Sequence, residues 1–166
     1  MITSDFDIAI RRRRLLWLYS ISVMVAMCWN ILPRVPVWQA ILPDGVLIVL
    51  LFWTIVDDTP RGLWQVFLIG LLVDLVMGLL LGMHAFGYLI IIFIASRWRK
   101  VLASLPVWQQ SLAVASLMGG FSAIQWLIQS QLGLSGPLWW LLSPGFAGFV
   151  IWPLLVNSLR ALVSQR

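Results

Sequence analysis

Few side chains in this 166-residue chain could do chemistry: the acids are Asp5, Asp7, Asp44, Asp57, Asp58 and Asp74, there is no glutamate, and His84 and Lys100 are the single histidine and lysine. Asp74 is the one carboxylate deep within an apolar run, and it falls in line with Gly70, Gly78 and Gly82 at intervals of four residues. On a helix, that spacing stacks residues on one slowly drifting face and predicts a narrow seam along which a neighbouring helix approaches and meets the acid. An acid so placed hydrogen-bonds an adjacent helix, couples to an ion or solute, or touches a partner subunit. Seated among glycines, it reads first as the structural case, with Asp74 neutral or hydrogen-bonded at pH 7 and Gly70, Gly78 and Gly82 shaping a bundle or a partner groove.

The other candidates carry less. His84 lies by the predicted outer end of the same helix and reads as a capping or interfacial residue; zinc would need further ligands, and none lies nearby in the sequence. Gly133-Leu134-Ser135-Gly136 is similar to the G-x-S-G of rhomboid proteases, but no histidine follows residue 84 to act as base, so Ser135 reads as part of a loop. Aspartyl proteolysis within a membrane needs two deep acids, and nothing resembles a phosphate loop. Cys28, the lone cysteine, has no internal disulfide partner. The sequence therefore predicts no enzyme, metal or cofactor.

The elements that must position these residues are hydrophobic. Apolar residues make up 61% of the chain and charged residues 10%, with a mean hydropathy of +0.98, against about 45–50% and 25% for soluble domains. This composition predicts an all-α integral membrane protein forming a single membrane domain over residues 1–166. Its compact bundle would have six short helices at about 15–32, 40–56, 62–80, 83–96, 107–128 and 137–159, the last kinked at Pro144 and Pro153. Arg11, Arg12, Arg13 and Arg14 precede the first segment, which is too long for a signal-peptide core and lacks a cleavage site. They read first as setting topology, with contact to anionic lipid headgroups as the alternative.

Charge counting is independent of hydropathy. With the N-terminus in the cytoplasm, ten cations fall on the inside and only Arg34 outside, a strong positive-inside asymmetry that places both termini in the cytoplasm. The net charge of +5 is thereby explained by topology rather than nucleic acid. Trp17, Trp29, Trp53, Trp64, Trp98, Trp108 and Trp126 fall near segment ends, as interfacial anchors do. Gly119, Gly120, Gly145 and Gly148 extend the small-residue theme into the last two helices.

The run Gly70-Leu71-Leu72-Val73-Asp74-Leu75-Val76-Met77-Gly78-Leu79-Leu80-Leu81-Gly82-Met83-His84-Ala85 resembles the rod shape-determining protein MreD family. So do the Pro43-Asp44 turn leading into Leu47 to Trp53, Val107-Trp108-Gln109-Gln110, and Trp152-Pro153; Leu42 departs, where an arginine before the proline would be expected. The resemblance implies a non-enzymatic scaffold of the bacterial inner membrane. It would bind an MreC-like bitopic protein and, through it, MreB, RodA and a class B penicillin-binding protein in lateral peptidoglycan synthesis. The family is also similar to the six-helix substrate-binding components of energy-coupling-factor transporters, so the alternative is a small-molecule-binding subunit of a transporter. Partners are thus an MreC-like protein and membrane lipid, with homodimerisation left open.

Overall fold

A chain this apolar must satisfy its backbone polar groups internally, and helices do so within each segment. The computed structural model describes residues 2–32, 42–56, 62–78, 80–131, 133 and 142–164. Among these residues it has seven helices and no strands: α1 (Ile2–Ile31), α2 (Gly45–Val56), α3 (Leu63–Met77), α4 (Met83–Arg97), α5 (Arg99–Ser104), α6 (Val107–Gln131) and α7 (Ser143–Ser164).

The core is built around α2, whose residues are buried except for Thr54 and Val56, each half-buried. It touches α1, α4, α5, α6 and α7, while α3 pairs with α4 and α6 with α7 as close hairpins. Where α6 meets α7, a Cβ on Gly145 would lie 2.9 Å from the Ala115 carbonyl oxygen. The small residue there lets the two backbones approach. Trp53 and Trp152 fill the centre beside Phe52.

Much of the outside is apolar too. Large hydrophobic side chains including Trp17, Met24, Leu75, Leu81, Trp108 and Phe146 are exposed on α1, α3, α6 and α7 and in the connections beside them, a surface suited to lipid rather than water. Two helical stretches, Arg13–Ile31 and Val107–Gln131, are long and apolar enough to cross a membrane, and the apolar stretches of the other main helices are shorter.

Several boundaries differ from the sequence expectation. α1 starts at Ile2 rather than near residue 15, because no glycine or proline separates the polar head from the arginines and arginine is a good helix former. The third helix ends at Met77, not near 80. Arg99–Ser104 forms a short helix of its own, and α6 continues through Gln131, where a loop is expected from Gln129. Pro144 falls in the first turn of α7, where a missing N–H costs nothing, so of the two prolines only Pro153 lies in the helix interior. Trp53 is no interfacial anchor: it is buried, and its Nε1 donates to Ser22 Oγ at 2.8 Å. Pro33, Arg34, Pro36, Asp57, Asp58, Arg61 and Ser135 lie outside the described residues.

Candidate functional site

Short helices in an apolar setting face one problem in particular: the first four N–H groups of each have no partner inside the helix. α2 has 12 residues and α4 has 15, about 18 and 22 Å of helix, well short of about 30 Å of hydrocarbon. Their N-termini come together at one end of the bundle, and an aspartate serves each.

At α2 the aspartate is local. Asp44 precedes the helix, and its Oδ1 accepts hydrogen bonds from the backbone N–H groups of Val46 at 2.9 Å and Leu47 at 3.0 Å. This is the N-cap geometry expected of Asp before a hydrophobic run. Asn30, at the end of α1, completes the corner: its Nδ2 donates to Asp44 Oδ1 at 2.8 Å, and its Oδ1 accepts from Gly45 N–H at 2.9 Å.

At α4 the aspartate comes from the preceding helix. Gly82 is the N-cap and has no side chain to offer. Asp74 of α3, fully buried, supplies the carboxylate. Its Oδ2 accepts from Gly82 N–H at 2.9 Å and Ala85 N–H at 3.4 Å, and its Oδ1 from His84 N–H at 2.9 Å. The positive end of the α4 dipole thus faces a carboxylate, as at an anion site on a helix N-terminus.

His84 links the two aspartates. Both oxygens of Asp74 already accept N–H groups, so the ring donates from Nδ1 to Asp74 Oδ1 at 2.8 Å. Its Nε2 then faces Asp44 Oδ2 at 3.9 Å, beyond hydrogen-bond reach. Tyr88, one turn further along α4 and fully buried, donates its hydroxyl to that same Asp44 Oδ2, so α1, α2, α3 and α4 are joined at one end by a single polar network. Tyr88→Phe removes one donor to a charged acceptor in a buried site. It is expected to cost about 1.5–3 kcal/mol, measured as a lowered thermal midpoint of the purified protein with an unchanged helical circular dichroism spectrum.

Beside the network lies a cavity of about 520 Å³, lined on its polar side by Asn30, Asp44, His84, Ser122, Gln125 and Gln129 and elsewhere by apolar residues including Met83 and Phe121. It sits where α1, α3 and α6 end and α2, α4 and α7 begin, so these six helices alternate in direction. Arg13, Arg14, Arg97 and Lys100 are exposed towards the opposite end.

The glycine seam is partly redrawn. Gly70 and Asp74 do face α4: a Cβ on Gly70 would lie 2.4 Å from Ala85 Cα. Gly78 and Gly82 are not on that helical face. Gly78 ends α3 with φ 64° and Gly82 opens α4 with φ 99°, a left-handed backbone that only glycine adopts cheaply. They shape the turn that brings the first N–H groups of α4 back over Asp74. Arg11, Arg12, Arg13 and Arg14 all lie within α1, far from this network along the helix. Sequence reasoning singled out Asp74 and His84 but missed Asn30, Asp44, Tyr88 and Gln125 as parts of the site. The Pro43-Asp44-Gly45 run before a hydrophobic stretch was an N-cap signal, and Tyr88 lies four residues beyond His84 on the same helix face.

The family model described as rod shape-determining protein MreD matches residues 11–162 of the chain. A rod shape-determining protein MreD of Haemophilus influenzae is 28% identical over 151 residues, covering 89% of this chain and 93% of that protein. No solved structure matches the chain.

Proposed function

This chain belongs to the rod shape-determining protein MreD family, and on that premise we propose that it is a non-enzymatic scaffold of the cell elongation machinery. In this reading six helices cross the bacterial inner membrane with both termini in the cytoplasm, in a bundle resembling the substrate-binding components of energy-coupling-factor transporters. An MreC-like bitopic protein lays its transmembrane helix against the bundle. Through that contact, MreB, RodA and a class B penicillin-binding protein are directed to lateral wall synthesis.

The family match over residues 11–162 carries the role in rod shape. The geometry that favours a scaffold over an enzyme is the state of Asp74: its two oxygens accept three backbone N–H groups and one imidazole N–H, so the deep acid is committed to holding helices together. The exposed apolar sides of α1, α3, α6 and α7 offer surface to another transmembrane helix as well as to lipid.

Single cysteines placed along each exposed face, in membranes containing an MreC-like partner with a cysteine in its own transmembrane segment, test the reading. Crosslinks are expected on one face at helical spacing, three or four residues apart. A partner that neither co-purifies nor crosslinks at any position refutes it, and reporter tags placing the two termini on opposite sides refute the topology.

A further inference from the structure

The scaffold reading leaves the cavity beside the aspartate pair unused, and the wall of that cavity is sorted by helix. Ser122, Gln125 and Gln129 of α6 line it, three positions that fall on one side of a helix over about 10 Å. Asn30 adds a further carboxamide from the end of α1. Apart from Asp44 and His84, the rest of the wall is hydrocarbon, including Ile31, Met77 of α3 and Pro144 of α7. The charges here are already matched. Asp44 accepts hydrogen bonds from Asn30, Val46, Leu47 and Tyr88 and faces the N-terminus of α2. His84, whatever its charge, lies between Asp74 at 2.8 Å and Asp44 at 3.9 Å.

A cation would have to displace donors that Asp44 already holds. A phosphate or carboxylate would meet that aspartate with no lysine or arginine among the described lining residues. The uncharged side chains are less fully used. Ser122 donates to the Met118 carbonyl at 3.0 Å, which leaves its own oxygen able to accept. Gln125 is held by a contact of 3.5 Å from Nε2 to the Met83 carbonyl, and its Oε1 has no hydrogen-bond partner among the described residues. A carboxamide or hydroxyl offers both a donor and an acceptor, and a wholly apolar occupant would seal these groups off without partners. We propose that the cavity binds an uncharged amide or alcohol group carried on an apolar body, with the polar group against Ser122, Gln125 and Gln129 and the body against the hydrocarbon wall. The volume of about 520 Å³ lies within the range of about 300–1,000 Å³ usual for small-ligand sites, which combine a mostly apolar lining with a few polar groups. Such a group arrives either as the head of an uncharged lipid or as a free small molecule. The site goes beyond the scaffold reading, and either can fail alone.

The test offers the full chain, in phosphatidylcholine nanodiscs, four probes that share one phenylpropyl body: hydrocinnamamide, phenylpropylamine, hydrocinnamate and propylbenzene. They present in turn an uncharged amide, a cation, an anion and no polar group, and saturable binding is measured by ligand-observed NMR against empty discs. The amide is expected to bind about tenfold more tightly than each of the others, the gain from one or two neutral hydrogen bonds. That preference should fall towards parity in Gln125→Leu and in Gln129→Leu. Gln129 is only half-buried, so its variant carries the test by itself should Gln125→Leu fail to fold. Discs doped with equal amounts of dioleoylglycerol, phosphatidylethanolamine and phosphatidylglycerol, read by native mass spectrometry, identify the source. Selective retention of dioleoylglycerol assigns an uncharged lipid, and a preferred amide with no lipid selectively retained assigns a free molecule. The proposal is overturned if neither uncharged probe is preferred, if a charged one is, or if the preference survives in the variants that fold.

Discussion

Gly70→Ala should destabilise the protein by about 3 kcal/mol, and Gly70→Leu should stop it accumulating in membranes. A Cβ at this position would lie 2.4 Å from Ala85 Cα, 2.8 Å from Ala85 N and 3.1 Å from the His84 carbonyl carbon. All three are backbone atoms, so no side chain can swing aside and α4 itself has to move. Overpacking a well-filled site costs about 1–3 kcal/mol when side chains yield. Here the displaced segment is the first turn of α4, whose N–H groups lie within hydrogen-bond reach of Asp74, so the steric cost is joined by stretched hydrogen bonds.

Two other glycines make the comparison informative. Gly148→Ala meets the Met118 sulfur at 2.7 Å, the far part of a flexible side chain, and should cost less than Gly70→Ala. Gly119→Ala meets nothing within 4 Å, and in the interior of α6 it should be neutral or stabilising by up to about 1 kcal/mol. Thermal unfolding in one detergent ranks the three. A Gly70→Ala protein that melts with the wild type would show that α3 and α4 do not approach as closely as described.

The limits of the sequence are clearest in these same residues. Hydropathy located the apolar part of each main helix but not the polar start of α1, and the depth of Asp74 within such an apolar stretch marked it as special. The four-residue spacing of Gly70, Asp74, Gly78 and Gly82 suggested one continuous face, whereas the helix stops at Met77, just before the second glycine of that line. Glycine serves two opposed purposes, admitting a neighbouring backbone within a helix and ending a helix in the left-handed conformation, and spacing does not say which. Asp44 and Tyr88 are 44 residues apart, and only the packing of α2 against α4 brings them together. Trp53 looked like an interfacial anchor because it lies near a segment end. α2 is enclosed by five other helices, which leaves that end without a lipid-facing side.

Asp74→Ala should cost about 4 kcal/mol or more. Removing the carboxylate strands the N–H groups of Gly82 and His84, both at 2.9 Å from it, and the His84 ring, with the Ala85 N–H losing a weaker acceptor at 3.4 Å. Each buried unsatisfied donor costs about 1–3 kcal/mol, and an apolar surrounding with no water raises that cost. Asp74→Asn separates charge from hydrogen bonding: one carbonyl oxygen still accepts, but the amide NH₂ that replaces the second oxygen turns a donor towards donors. About half the loss, roughly 2 kcal/mol, is expected. Amide exchange resolves where the damage falls, with Gly82, His84 and Ala85 losing protection in both variants while the centre of α2 stays protected in Asp74→Asn. A scaffold role predicts that cell shape tracks this order, with Asp74→Asn retaining more function than Asp74→Ala. Wild-type stability and unchanged exchange at α4 in Asp74→Ala would mean that the carboxylate does not hold this helix, and the order of the two variants would reverse only if charge itself were harmful there.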